Sequence, residues 1–165
     1  MPESHRYEIP TRAVPDGDAG YFEKITQAVF QAGFSWQVIR SKWPNFQRAF
    51  AGFDVDKVAA LTDEDLERLV EDKGIVRNGR KIAATIHNAQ ICQKLIREHG
   101  SLKDWLRSMD DLDYWTRARK FSKPFKFVGE MGAYFFFWSV GEDVPPYEEW
   151  QDARRLEARA RGRRG

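Results

Sequence analysis

Apolar side chains return every three or four residues along most of the chain, which is the spacing of one face of an α-helix. The first such stretch begins at Tyr21 and ends near Gly33, with apolar positions at Phe22, Ile25, Val29 and Phe30. A second begins at Ser35 and contains Pro44, which predicts a kink or a break because proline lacks the backbone donor. Its apolar positions are Trp36, Ile39, Trp43, Phe46 and Phe50.

Capping residues mark the starts of further helices. Asp54 and Thr62 are residue types that favour N-cap positions, and the helix after Thr62 is predicted to end near Val70. Ser101 begins another short helix in the same way. Residues 108–124 are polar and basic, so we expect a loop with a single helical turn there.

The longest helix is predicted from Gly79 to His99, with Gly100 as its stop. Its inner face should carry Ile82, Ile86, Ala89, Cys92, Gln93 and Ile96. The run at residues 134–138 is entirely aromatic and predicts a buried helix. A charged helix should follow from about Tyr147 and fray into the carboxyl-terminal tail.

The fold class that follows is all-α, with roughly seven to nine helices, because no stretch alternates apolar and polar residues as a strand does. We divide the chain into three parts. Residues 1–19 hold three prolines and a turn and are expected to form an extended arm. Residues 20–150 form the helical domain, and residues 151–165 form a basic helix or tail.

Charge and cysteine content exclude several classes of function. The net charge is +2, yet residues 154–165 hold six arginines against the single acid Glu157, so the rest of the chain is slightly acidic and any nucleic-acid surface must be local. The single cysteine, Cys92, allows neither a disulfide framework nor a cysteine-rich zinc site. No apolar run reaches membrane-spanning length. We expect a cytoplasmic protein with no bound metal and no cofactor.

The segment at residues 123–133 is the first candidate for a functional site. Gly129 can adopt backbone angles that are closed to other residues, and the free N–H groups of the helix behind it favour an anion such as phosphate. Lys123 and Lys126 beside it strengthen the case for phosphate. The alternative is a simple connector between two helices.

Two further segments carry candidate chemistry. Arg77, Arg80 and Lys81 form a basic run at the start of the longest helix, which a bound phosphate or solvent could accommodate. Trp36 follows a glycine break and could form the floor for a flat ligand, although most tryptophans lie in a core. Ser35 before it has the position of a helix cap rather than of a nucleophile.

Four segments together resemble DNA-3-methyladenine glycosylase I, a family of the helix-hairpin-helix DNA glycosylases. They are FEKITQAVFQAGFSW at residues 22–36, FDVDKVA at 53–59, ERLVEDKGIVRNGRKI at 67–82 and FKFVG at 125–129. The resemblance implies a helical glycosylase fold in which residues 125–129, Val128 and Gly129 included, clamp the backbone of double-stranded DNA. It also implies that an alkylated adenine is flipped from the duplex and its N-glycosidic bond is cut.

The same resemblance implies residue roles and shows departures from the family. Trp36 and Tyr7 correspond to aromatic residues that stack on the base, and Gln31 matches a glutamine of the same segment. The family's base-recognising acid falls at Ala28, which cannot accept a hydrogen bond. Its zinc ligands are missing, with Glu8 and Pro146 near two of those positions, and Arg12 replaces an aromatic residue of the arm.

Three hypotheses follow. The leading one is a zinc-less, monomeric glycosylase acting on an alkylated purine, in which Glu148 or Glu149 supplies the missing carboxylate. The second is a DNA-binding module that keeps the clamp and has lost base excision. In the third, the arginine tail contacts protein or RNA.

Overall fold

The structure, a computed structural model, describes residues 11–164 and is all-α over that part of the chain. It contains nine α-helices there, within the number that the sequence predicts. They are α1 (Asp18–Gln31), α2 (Trp36–Ala49), α3 (Val55–Ala59), α4 (Asp63–Val70), α5 (Gly79–His99), α6 (Leu102–Arg107), α7 (Tyr114–Ser122), α8 (Glu130–Ser139) and α9 (Tyr147–Arg164). A short 3-10 turn, Ala51–Phe53, joins α2 to α3.

Side-chain caps explain where most of these helices begin. The capping side chain accepts a hydrogen bond from the backbone N–H three residues later, which satisfies one of the donors left free at a helix start. This arrangement occurs at Ser35, Asp54, Thr62, Asn78, Ser101 and Asp113. The predicted caps at Asp54, Thr62 and Ser101 are therefore confirmed. Pro44 lies inside α2, which continues to Ala49, so the proline does not break the helix.

The predicted loop at residues 108–124 is wrong, because most of this segment forms the helix α7. Asp113 caps its start, and Ala118 and Phe121 are buried along it. The apolar pattern was hidden by Arg117, whose buried guanidinium donates a 2.7 Å hydrogen bond to the Glu142 carboxylate. An arginine that is paired inside the protein looks like a surface residue in the sequence.

The carboxyl-terminal helix is also longer than expected. Instead of fraying into the arginine tail, α9 remains helical to Arg164. Its first turn is acidic and its last turns are basic, which matches the helix dipole at both ends. Trp150 is fully buried and packs on Tyr134, with ring centroids 4.7 Å apart, so it anchors the start of α9 to α8.

Helix α8 is buried, as its aromatic sequence predicts. Its buried side chains include Ala133, Tyr134, Phe135, Phe136 and Phe137. Phe136 stacks on Phe121 of α7 with ring centroids 4.3 Å apart. Helices α1 and α8 approach closely, since a Cβ at Gly132 would lie 3.5 Å from the Cβ of Ala28. The core therefore surrounds the helix that the segment at residues 123–129 leads into.

Candidate nucleic-acid interface

The hairpin, residues 123–129 between α7 and α8, is held in place by a side chain from α5. Asn88 is 1% exposed, and its Oδ1 accepts a 2.9 Å hydrogen bond from the backbone N–H of Lys126. Its Nδ2 donates a 3.1 Å hydrogen bond to the carbonyl oxygen of the same residue. Both backbone groups of Lys126 are thus satisfied by one amide. The sequence did not single out Asn88, although a polar residue among apolar neighbours on the inner side of α5 is the signal.

The unusual backbone conformation of the hairpin lies at Phe127 rather than at Gly129. Phe127 has φ of 60°, in the left-handed region, whereas Gly129 has φ of −91° and ψ of −163°. The expectation that Gly129 adopts angles closed to other residues is therefore wrong. A Cβ built at Gly129 meets nothing within 4 Å. The absent side chain leaves open space in front of the backbone.

The start of α8 faces that open space with no side-chain cap. Gly129 is its N-cap and cannot supply an oxygen to the first N–H groups of the helix. Such uncapped donors, together with the positive end of the helix dipole, favour a phosphate oxygen. The side chain of Val128 is buried, so only the backbone of this residue is available to a phosphate.

Two lysines flank the hairpin at the surface. Lys123 is exposed at the C-cap of α7, and the Lys126 side chain is exposed while its backbone is clasped by Asn88. Both ammonium groups can therefore reach a ligand that approaches Gly129. Their charges suit the backbone of a nucleic acid, which is contacted mainly through phosphates.

The basic run before α5 divides into residues with different surroundings. Arg77 donates a hydrogen bond to the carbonyl oxygen of Val70 and pairs with Glu71 at 3.6 Å. Arg80 is exposed. Both remain at the surface, so both can still contact DNA.

Lys81, in contrast, is only 6% exposed. Its ammonium donates a hydrogen bond to the carbonyl oxygen of Ala32, just after α1, and lies 5.3 Å from the ring of Phe34. Burial lowers the pKa of Lys81. Contrary to the expectation from the sequence, Lys81 is a structural cation at the carboxyl end of α1 and is not presented to DNA.

Trp36 lies at the first position of α2 and lines a cleft of about 150 Å3. The other residues around this Trp36 cleft are Thr11, Lys24, Gln27, Ile39, Arg40 and Trp43. The Trp36 ring is 2% exposed and meets Phe135 of α8 edge to face, with centroids 6.2 Å apart. The aromatic floor that the sequence suggests thus borders both a cleft and the core.

Two buried polar atoms of the Trp36 cleft residues lack hydrogen-bond partners within the described part of the chain. One is the donor Nε1 of Trp36, and the other is the acceptor Oε1 of Gln27. Buried polar groups are nearly always paired in folded proteins, so this donor and this acceptor, which belong to two residues of one cleft, are candidates for a partner outside the described part of the chain, such as a ligand. The sequence did not identify Gln27, which lies one turn before the predicted Gln31.

The positions expected to contact the base directly are arranged differently. Ala28 is buried against α8 and does not line the cleft. Gln31 is half-buried at the end of α1, and its carbonyl oxygen accepts a hydrogen bond from Phe34. Tyr7 lies outside the described residues. Of the expected base-binding residues in the described part, only Trp36 lines the cleft.

The predicted carboxylates are not brought to the Trp36 cleft. Glu148 and Glu149 are exposed in the first turn of α9, and neither lines the cleft. Glu23 is linked to it indirectly, because its Oε2 accepts a 3.2 Å hydrogen bond from Nε1 of Trp43. The cleft itself offers the neutral amide of Gln27 where the sequence led us to expect an acid.

Two cations border the same cleft. Lys24 donates a 3.5 Å hydrogen bond to the carbonyl oxygen of Thr11, and burial lowers the pKa of Lys24. Arg40, which belongs to α2, also lines the cleft. Cationic groups at the rim of an aromatic cleft suit the phosphates that flank a nucleotide.

The described residues contain no group of three or more metal-binding side chains, and none of their helices is long and apolar enough to cross a bilayer. Arg12 is used structurally, since it donates hydrogen bonds to the carbonyl oxygens of Trp138 at 2.8 Å and Glu142 at 3.2 Å. It thereby closes the carboxyl end of α8. Glu8 lies outside the described residues.

Known proteins are similar to this chain in sequence and in fold. The family model described as Methyladenine glycosylase matches residues 10–143. DNA-3-methyladenine glycosylase 1 of Escherichia coli (strain K12) is 34% identical, in an alignment that covers 78% of this chain and 79% of that protein.

Solved structures of glycosylases have a similar fold. The 3-methyladenine DNA glycosylase I of Staphylococcus aureus, in a glutamate-to-glutamine mutant, superposes with a TM-score of 0.72 at 25% identity, over 84% of each chain. A tyrosine-to-phenylalanine variant of a 3-methyladenine DNA glycosylase I, solved in complex with 3-methyladenine, superposes with a TM-score of 0.71 at 25% identity, over 82% of this chain and 83% of that one. The resemblance read from the sequence is thus confirmed, and the chain belongs to the methyladenine glycosylase family.

Proposed function

We propose that this protein is a DNA N-glycosylase of base-excision repair, which removes an alkylated purine such as 3-methyladenine from double-stranded DNA. Its family membership and the names of its relatives support this activity. The observation within the chain that carries the proposal is the Trp36 cleft, with its unpaired donor and acceptor. We also propose that the protein acts as a cytoplasmic monomer.

In this proposal the hairpin binds the DNA backbone and the Trp36 cleft binds the flipped base. The backbone at Gly129 and the side chains of Lys123 and Lys126 hold one DNA strand through its phosphates, without reading sequence. Arg77 and Arg80 extend that contact. The flipped base enters the Trp36 cleft, with Tyr7 as its second aromatic contact.

Cleavage of the N-glycosidic bond of a methylated base requires little assistance from a general acid. Methylation gives the base a positive charge while it is attached to the sugar. When the N-glycosidic bond breaks, its electron pair stays with the base, which leaves as a neutral molecule, while water adds to C1′ of the sugar and releases one proton to solvent. Gln27 Oε1 would accept a hydrogen bond from the base, and Trp36 Nε1 would donate one. A neutral acceptor stabilises a cationic base less than a carboxylate does. We therefore expect the methylated base to be bound more weakly than an acid in the cleft would bind it.

The Trp36 cleft is small compared with a purine base. A cavity of roughly 150 Å3 accommodates one benzene-sized ring, whereas a purine has two fused rings. The cleft is partly open to solvent, so a purine bound there would extend beyond this volume.

The test is release of free base from an alkylated duplex, separated and quantified by chromatography. We expect 3-methyladenine to be released by the wild-type protein. Gln27→Leu and Trp36→Phe each remove one hydrogen-bonding atom and should slow release about fivefold to tenfold, the value of one such bond of about 1 kcal/mol. Trp115→Phe is the matched control, because Trp115 does not line the cleft. Unchanged release in both cleft variants would contradict the assigned roles.

A DNA-binding module without excision is the second candidate, and Ala28 in place of the expected acid is the observation that favours it. The two candidates differ in one result. Binding of alkylated duplex without release of any base would support the module and refute the glycosylase. Trp36→Phe should then leave DNA affinity unchanged as well, because no base is flipped.

A further inference from the structure

Helix α9 carries an exposed basic surface beyond its anchor at Trp150. After that tryptophan, nearly every side chain described to residue 163 is half or fully exposed. Residues 154–165 hold six arginines and one acid. A helix of 18 residues is about 27 Å long, and the arginines occupy its carboxyl-terminal part.

Two of these arginines contact Glu130, the first residue of α8. Arg154 Nε lies 2.8 Å from Oε2 of Glu130, and an Nη atom of Arg161 lies 3.8 Å from its Oε1. Seven residues separate the two arginines, which places them on one face of α9. Because Glu130 directly follows Gly129, this face of α9 lies beside the uncapped start of α8.

Glu130 is poorly placed for a protein that binds phosphate at Gly129. Its carboxylate suits the helix dipole in the free protein, but it repels a phosphate that approaches the same N–H groups. The two arginines offset that charge. Exposed ion pairs of this kind contribute little to stability, and these side chains are 38–68% exposed, so the two pairs with Glu130 do little to hold α9 in place.

We propose that this face of α9 is a second contact for the DNA backbone, continuous with the hairpin, in which Arg154 and Arg161 bind phosphate groups beside Gly129. The guanidinium fork matches a phosphate and can contact it while it still shields Glu130. The inference rests on the proposed function only in taking duplex DNA as the partner of the hairpin. It does not depend on whether a base is excised.

The experiment separates phosphate binding from mere neutralisation of Glu130. We would measure binding of an undamaged duplex across a series of salt concentrations in three proteins: wild type, Glu130→Gln, and the triple variant Glu130→Gln with Arg154→Gln and Arg161→Gln. Each lost phosphate contact lowers the slope of log K against log salt by about 0.9. We therefore expect the triple variant to have a slope about 1.8 smaller than Glu130→Gln alone.

If the arginines serve only to neutralise Glu130, they have no task once it is glutamine, and equal slopes in those two variants would overturn the proposal. Arg68→Gln with Arg97→Gln is the control, since it removes the same charge from exposed arginines away from the hairpin. Helical content and melting temperature, measured by circular dichroism, establish that each variant is folded.

Two other outcomes are informative. If the triple variant loses affinity for a single-stranded RNA but not for duplex DNA, α9 binds RNA and the proposal is wrong. Base release from alkylated duplex, measured on the same proteins, keeps the two proposals separate. A protein that releases base with unchanged salt slopes refutes only the role of α9, whereas altered slopes without any release refute only the glycosylase.

Discussion

Replacing Asn88 with alanine should disconnect the hairpin from the core. The substitution removes the two hydrogen bonds, of 2.9 and 3.1 Å, that hold the backbone of Lys126. At about 1 kcal/mol each, their loss should lower the free energy of unfolding by roughly 2 kcal/mol. The freed N–H and C=O of Lys126 lie near the surface, where water replaces part of what is lost.

The same substitution should weaken DNA binding without touching DNA. If the whole 2 kcal/mol is lost as local order of the hairpin, DNA must restore that order, and affinity for an undamaged duplex falls by up to about thirtyfold. Fluorescence anisotropy well below the melting temperature measures this. Asn88→Asp keeps the acceptor for Lys126 N–H but replaces the donor, so its effect should be intermediate.

Thr85→Ala is the matched control for Asn88→Ala. Thr85 is fully buried one turn earlier in α5, and its hydroxyl donates to the carbonyl oxygen of Lys81 rather than to the hairpin. It should reduce stability with little change in DNA affinity. The reasoning fails if Asn88→Ala is destabilised but binds duplex as tightly as Thr85→Ala.

Three further predictions concern the hairpin and its neighbour. Gly129→Val should fold with a loss of stability of at most about 1 kcal/mol, because its Cβ meets nothing within 4 Å in the free protein although valine is a poorer N-cap than glycine. It should nevertheless lose DNA affinity in the anisotropy assay, and retained binding would mean that DNA does not approach this backbone. Phe127→Gly should change the free energy of unfolding in urea by less than about 1 kcal/mol, since relief of a left-handed φ of 60° offsets the entropy cost of glycine and the loss of a ring that is 45% exposed. Burial, and then the charge of Lys126, lower the pKa of His87 below its ordinary 6.5, so the unfolded chain takes up this proton first and stability should fall as pH drops through 6.5. His87→Gln should flatten that part of the stability profile, and an unchanged profile would assign the pH dependence to other groups.

Local patterns in the sequence were enough where a helix depends on its own residues. The limits of α5 were predicted at both ends, because Gly79 and Gly100 mark them and the residues between repeat with helical spacing. The caps at Asp54 and Thr62 act within one turn, so they could be recognised without knowledge of the fold. Helix α7 was missed because Arg117 is buried only through its partner Glu142, 25 residues away.

The candidate site shows the same division. The family segments identified the hairpin and Trp36, since these are continuous stretches with a characteristic order of residues. Gln27 was not identified, because its importance comes from lying beside Trp36 with an unpaired oxygen. Lys81 was taken for a DNA ligand because a charged residue beside two arginines gives no sign that its ammonium turns inward to Ala32.

The sequence by itself thus determined the all-α class, the positions of most helices, the family and the hairpin at residues 123–129. Only the tertiary structure decided what supports and surrounds that hairpin, namely the amide of Asn88 and the arginines of α9 on Glu130. The physical reason is the distance along the chain over which each kind of interaction acts. Helical spacing and capping act over one or two turns of the chain, whereas the pairing of a buried or charged group is decided by residues that are distant in sequence and adjacent only after folding.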